Sequence, residues 1–179
     1  MKIEREIPLL EELLAPWRER IGRDYAGYRN HVYRMLHFCF VLHPPTDEER
    51  RKLIIAAAFH DIGIWSDGTV DYLPPSVRVA KDYLSDYGLD AWAGEVGQIV
   101  DQHHQLTAYR GAAHPLVEVF RRGDLVDFSL GLVRFGIPGA TIAEVKAAFP
   151  NAGFHKRLMQ LTWQQVRQHP LDPLPMTKW

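Results

Sequence analysis

Nine histidines stand in this sequence, and their neighbours separate those that could do chemistry from the rest. Placed on a helical wheel at about 100° per residue, His31 shares a face with Tyr28, Met35, Phe38 and Leu42. His60 shares one with Leu53, Ala56 and Ala57, and His103 with Trp92, Val96, Ile99 and Val100. Asp124 falls with Val117, Phe120 and Phe128. Each of the four occupies a position where a core-facing apolar side chain is expected. One inward histidine is ordinary, but an inward carboxylate without a partner is costly or becomes neutral. A shared divalent transition metal explains all four together, because imidazole and carboxylate suit such ions. A buried His–Asp hydrogen-bond network without metal is the alternative that the wheels leave open.

The other histidines read differently. His104 lies about 100° round from His103 and is expected to line the same cavity. His37 faces away from His31 and is expected to be solvated. His43, His114 and His169 flank prolines at element boundaries, where surface exposure is expected. His155 carries no assigned role.

Helices must position these residues. The segment 24–43 reads as one helix, stopped by Pro44-Pro45. Thr46 and Glu49 form a capping box for a second helix, expected to run to about Ile62 and to be closed by Gly63. Residues 64–75 read as a loop, followed by helices over about 76–87 and 90–107. A further helix is expected at 115–131, then a short one capped by Thr141 and Glu144, then a last one at about 152–168. No strand alternation or internal repeat is visible. The expected fold is all-α: a single domain over 1–179, with a core at about 24–131, C-terminal helices at about 139–168 and a proline-rich, extended tail at 169–179.

Composition narrows the class of partner. The chain has 179 residues, 46% apolar and 24% charged, which is ordinary for a globular domain. A chain of this size buries roughly 70% of its unfolded surface and needs no metal or disulfide to fold. The formal charge is −1, without long runs of one sign, so no footprint for duplex nucleic acid or an anionic membrane is seen. Fifteen of the 21 basic side chains are arginine, which suits carboxylate or phosphate recognition. The one cysteine, Cys39, excludes an internal disulfide framework. The start, MKIEREIPLL, lacks the apolar region of a signal peptide, and the apolar run Leu53–Phe59 is far too short to span a bilayer. A cytoplasmic protein with a small-molecule substrate is expected.

His31 in RNHVYRML, His60-Asp61 in AAAFHDIGIW and Asp124 in RRGDLVDF form an ordered set that resembles the HD superfamily of metal-dependent phosphohydrolases. His103-His104, between the doublet and the last aspartate, is similar to a further histidine found in many members. The likeness covers about residues 24–131. It implies a helical bundle in which His31, His60, Asp61 and Asp124 hold a divalent transition metal (Mn, Fe, Co, Ni or Zn). Asp61 and His103 are then the catalytic candidates, His103 as supporting ligand or acid–base group. Joint ligation by the adjacent His60 and Asp61 requires the helix to end there. Arg34, Arg121 and His104 are the candidates for holding a phosphorylated substrate.

The chain also departs from particular branches of that superfamily. IWSDG stands where alarmone hydrolases carry a Glu-Asp pair, and QLTAYRG where cyclic-di-GMP phosphodiesterases carry Gly-Tyr-Pro. Ser76 stands where many multi-metal members have a histidine, so one metal per chain is the first expectation and a second is possible. Relatives of the same fold carry cyanamide hydration or di-iron oxygenation, and a non-catalytic metal-binding signalling module is the third alternative.

Overall fold

The computed structural model describes residues 2–172 and 174–177, and among them the regular structure is helical, with no strand. This is the all-α class that the apolar periodicity predicts. In chain order the helices are α1 (Pro8–Leu14), α2 (Arg18–Ile21), α3 (Tyr25–Leu42), α4 (Asp47–Phe59) and α5 (Gly63–Ser66). They continue as α6 (Leu73–Asp86), α7 (Ala93–Gln102), α8 (Leu116–Phe128), α9 (Gly139–Ala148) and α10 (Phe154–Gln168). No described helix is long and apolar enough to cross a membrane. Of the expected tail, Pro173, Lys178 and Trp179 lie outside the described residues.

The main core is a cluster drawn from α1 to α10, with Tyr28, Val32, Met35, Phe38, Leu53, Ile55, Val100 and Phe120 among its most buried members, and Ile64, Tyr72 and Leu73 form a small second cluster. Its backbone is the extensive packing of α3 along α8. That packing is close because of Gly123: a Cβ there would lie 2.4 Å from the Cys39 sulfur and 3.0 Å from the Met35 carbonyl oxygen. The glycine precedes Asp124 directly, so the close approach also carries that carboxylate towards His31 on α3.

Helix boundaries depart from the sequence reading in ways that matter for chemistry. The Thr46–Glu49 capping box forms, with the Thr46 amide donating to Glu49 at 2.8 Å. The helix it opens ends at Phe59, however, which leaves His60 and Asp61 in the turn beyond it. Gly63 opens the short α5 rather than closing α4, because the chain must pass there against α6: a Cβ on it would lie 2.3 Å from the Tyr72 carbonyl oxygen. Pro74 and Pro75, read as loop, occupy the first turn of α6. Proline is accepted there because the first amides of a helix lack internal acceptors. Helix α7 ends at Gln102, five residues before the expected end. The Thr141–Glu144 box does not form; α9 starts at Gly139 after Pro138, without a side-chain cap. Nor is the tail extended: it turns at 170–171 and again at 175–176.

Gly123→Ala tests the packing. Alanine is the better helix former by about 1 kcal/mol, yet overpacking against Cys39 should leave a net loss of about 1–3 kcal/mol. Urea denaturation should show that loss, partly restored by adding Cys39→Ala. The exposed Gly94 of α7, with open space at its Cβ, should accept alanine without loss.

Candidate metal centre

The clustered ionisable side chains come from two kinds of place. His31, Asp124 and Asp127 project from the interiors of α3 and α8, whereas His60, Asp61, His103 and His104 lie just past the C-terminal ends of α4 and α7. His60 and His103 solve the same problem in the same way. A helix leaves its last carbonyls without amide partners, and each of these histidines turns Nδ1 back onto the carbonyl three residues earlier. His60 Nδ1 donates to Ala57 O at 2.8 Å, and His103 Nδ1 donates to Val100 O at 2.7 Å. His31 Nδ1 instead donates to the Asp127 carboxylate at 2.7 Å.

A carbonyl can only accept, so a hydrogen sits on Nδ1 of His60 and His103, and in the neutral rings their Nε2 atoms carry lone pairs. The Asp127 carboxylate fixes the same tautomer on His31. All three lone pairs then face one small space. His31 Nε2 and His60 Nε2 are 3.0 Å apart, and His103 Nε2 lies 3.4 Å from Asp61 Oδ1. His60 Nε2 is 3.3 Å from Asp61 Oδ2, and His31 Nε2 is 3.4 Å from Asp124 Oδ1. Asp61 Oδ1 and His103 Nε2 are buried with no hydrogen-bond partner among the described residues. Acceptors facing acceptors at such distances call for either a proton on one of the imidazoles or a cation between them.

The local charge asks for the same thing. With neutral imidazoles, the buried Asp61, Asp124 and Asp127 are met by the guanidinium of Arg34, while that of Arg121, also buried, is engaged by Glu118, so the carboxylates are left in excess. The ends of α4 and α7 add their negative dipole ends. Burial disfavours an imidazolium at His60, but Asp61 beside it outweighs this and raises its pKa. Burial likewise pushes Asp61 up, and the facing His60 and His103 hold it well below the usual carboxylate range. At Asp124 burial prevails over the nearby imidazoles, and its pKa is raised. One ligand atom each from His31, His60 and Asp61 lie mutually within 4.8 Å, and so do those of Asp61, His103 and His104. Ligands of a transition metal at about 2.1 Å, set at right angles, stand about 3 Å apart, close to the His31–His60 separation. The residues fit a divalent cation, with Asp61 common to both groups.

Compared with protein-family models, curated proteins and solved structures, the chain has no match. The site therefore rests on its own geometry. That geometry brings together His31, His60, Asp61, His103, His104 and Asp124. It disposes of others differently. Arg34, expected at the substrate, is buried with Nε 2.5 Å and Nη2 2.8 Å from the two Asp127 oxygens, and Nη1 3.1 Å from Phe149 O. It holds Asp127, which in turn holds His31. Burial pushes Asp127 up, but His31 and Arg34 bring its pKa down to about 2. Arg121 does line the cavity beside the centre, yet its Nε and Nη2 donate to Glu118 at 2.7 and 2.8 Å. His37, expected in solvent, is buried: its Nδ1 donates to Tyr33 O at 2.7 Å, and Nε2 accepts the Glu4 amide at 3.0 Å. The N-terminal segment covers that face of α3, which a single-helix wheel could not show.

Some residues escaped the sequence reading. The Tyr72 hydroxyl is 2.6 Å from His104 Nε2, and burial followed by His103 keeps the His104 pKa well down. Phe154 stacks on the His31 ring with centroids 4.0 Å apart and planes 12° from parallel. Ser76 does not face the centre as a ligand substitute; its Oγ accepts the Gly63 amide at 2.9 Å. Nothing local in the sequence marks these pairings, since each joins elements distant along the chain.

Asp127→Asn should separate ligand support from simple packing. It breaks a buried ion pair, so a stability loss of about 3–5 kcal/mol is expected in chemical denaturation. Mn affinity measured by calorimetry should fall by roughly 10–100-fold. His37→Ala should leave Mn affinity unchanged, and an equal fall in both variants would count against the arrangement.

Proposed function

We propose that this protein is a metal-dependent phosphohydrolase of the HD type, acting on a small phosphate ester through an activated water. The observation that carries the reading is the convergence of three imidazole lone pairs on Asp61 and Asp124, with each Nδ1 hydrogen already engaged elsewhere. His31, His60, Asp61 and Asp124 would hold one divalent transition ion, Mn, Fe, Co, Ni or Zn. When bound, such an ion supplies Lewis acidity, polarising a phosphoryl oxygen and lowering the pKa of water from ~15.7 towards ~7.

The chain's own residues supply the rest. Asp61, whose carboxylate stays ionised, offers one oxygen towards His31 and His60 and the other towards His103. It can orient the attacking water or accept a proton from it. His103 is held by Val100 O with Nε2 open to the centre, which suits it to carry a proton at that atom. His104, paired with Tyr72, lines the same cavity and can donate to or accept from a substrate oxygen. Arg121 can reach a phosphoryl group only by sharing its guanidinium with Glu118, so it orients substrate more than it neutralises it. The grouping of Asp61 with His103 and His104 favours a second reading in which a second cation occupies that side and His103 is a ligand.

An activity screen of metal-loaded protein against p-nitrophenyl phosphate, bis(p-nitrophenyl) phosphate, nucleotides and sugar phosphates tests this reading. Asp124→Ala and His60→Ala should abolish phosphate release and Mn binding together. His103→Ala should lower kcat about 10²–10⁴-fold as an acid–base group, with Mn stoichiometry unchanged at one per chain. Loss of a second equivalent of Mn in that variant would make His103 a ligand. Nitrile hydration without phosphate release, or oxygen consumption by an iron-loaded form, would replace the hydrolase reading.

A further inference from the structure

The centre opens at one end of a cavity of about 730 Å³, within the range of roughly 300–1,000 Å³ typical of small-molecule sites. Away from the histidines its walls are mostly apolar. Leu125 and Phe128 of α8 and Phe154, Leu158 and Leu161 of α10 line it. The tail, turning back, adds Leu174 and Met176.

Helix α10 is the informative element. Residues 154, 158 and 161 form one stripe at helical spacing, the kind of face a helix normally buries against its domain. Here Phe154 is buried, on His31, while Leu158 and Leu161 remain only partly buried beside the cavity. Phe128, one turn beyond Asp124, is 52% exposed although it lines the same space. Apolar surface left facing an open cavity is unfavourable unless something apolar covers it.

Charge argues in the same direction. Among the described lining residues Arg121 is the one side chain bearing a guanidinium or ammonium, and Glu118 takes two of its donors. Asp172 adds a carboxylate to the wall. A phosphate carries about −1.5 to −2 near neutral pH. A single phosphoryl group can sit against a bound cation and within reach of the shared Arg121, whereas a polyphosphate chain would extend onto apolar walls and a carboxylate.

Resting on the hydrolase reading above, we propose that the substrate is amphipathic, with one phosphoryl head at the centre and an uncharged alkyl or aryl body in the cavity between α8 and α10. Nucleoside polyphosphates are thereby excluded as the preferred class.

Calorimetry with n-alkylphosphonates, which resist hydrolysis, reads this without relying on turnover. On Mn-loaded protein, octylphosphonate should bind at least about tenfold more tightly than butylphosphonate, given up to about fourfold per buried methylene. Leu161→Asp should remove most of that gain while leaving methylphosphonate and Mn binding unchanged, and Leu158→Gln provides the same test should the first variant fold poorly. A second arm uses chelated protein and uncharged 1-octanol, whose binding should persist and be weakened by the same substitutions. Octanol binding with no Mn-dependent gain for phosphonates overturns the hydrolase reading and the phosphoryl head while supporting the apolar body. Affinity independent of chain length, or tighter binding of a non-hydrolysable ATP analogue than of octylphosphonate, overturns the apolar body and leaves the hydrolase reading standing.

Discussion

Two imidazole nitrogens stand 3.0 Å apart, and with each Nδ1 hydrogen engaged elsewhere neither neutral ring has a hydrogen to offer the other. Each ring is held there from behind, His60 by Ala57 O and His31 by Asp127. Asp127 is fixed in turn by Arg34, and Arg34 by the carbonyl of Phe149 near the start of the C-terminal region. The unfavourable approach at the centre is thus offset by a chain of favourable contacts reaching through the bundle. Helix ends, buried ion pair and core packing all serve one geometric requirement, the gathering of imidazole nitrogens on either side of Asp61.

Low polarity strengthens the effect. Tyr28 lies over His60 with ring centroids 5.9 Å apart, and Phe120 meets the same ring edge-on at 5.6 Å. These walls exclude water from the rear of the cluster, so charges there interact more strongly than at a surface. The same dryness makes incomplete compensation costly, which is why three buried carboxylates against the Arg34 guanidinium, with Arg121 taken up by Glu118, are informative. On a surface, such an imbalance would be screened and would carry no message.

Much of this was legible in the residue pattern, for identifiable reasons. His31 and Asp124 sit within regular helices, so their inward direction follows from a fixed angular step. The all-helical class follows from the same periodicity. Arg34 and His37 were misread because their surroundings come from elsewhere: Asp127 lies 93 positions from Arg34, and Glu4 lies 33 from His37. His60 and His103 pointed inward on wheels, but the wheel hid what matters about them. They stand past the helix ends, where capping a carbonyl decides which ring nitrogen keeps its lone pair. The Thr141–Glu144 pattern failed because Pro138 starts the helix earlier and places Thr141 inside it.

Cys39 lies where α3 and α8 press together, its sulfur directed at Val119 O and its thiol pKa raised by burial and then by Asp124. As a nucleophile it is silent in the closed bundle, because the reactive form is the thiolate. It is also the single cysteine of the chain. A thiol-selective reagent that marks the protein must therefore have caught α3 and α8 parted. The rate of that labelling would report how often the helices bearing His31 and Asp124 separate, so the chain carries its own clock for the breathing of the centre.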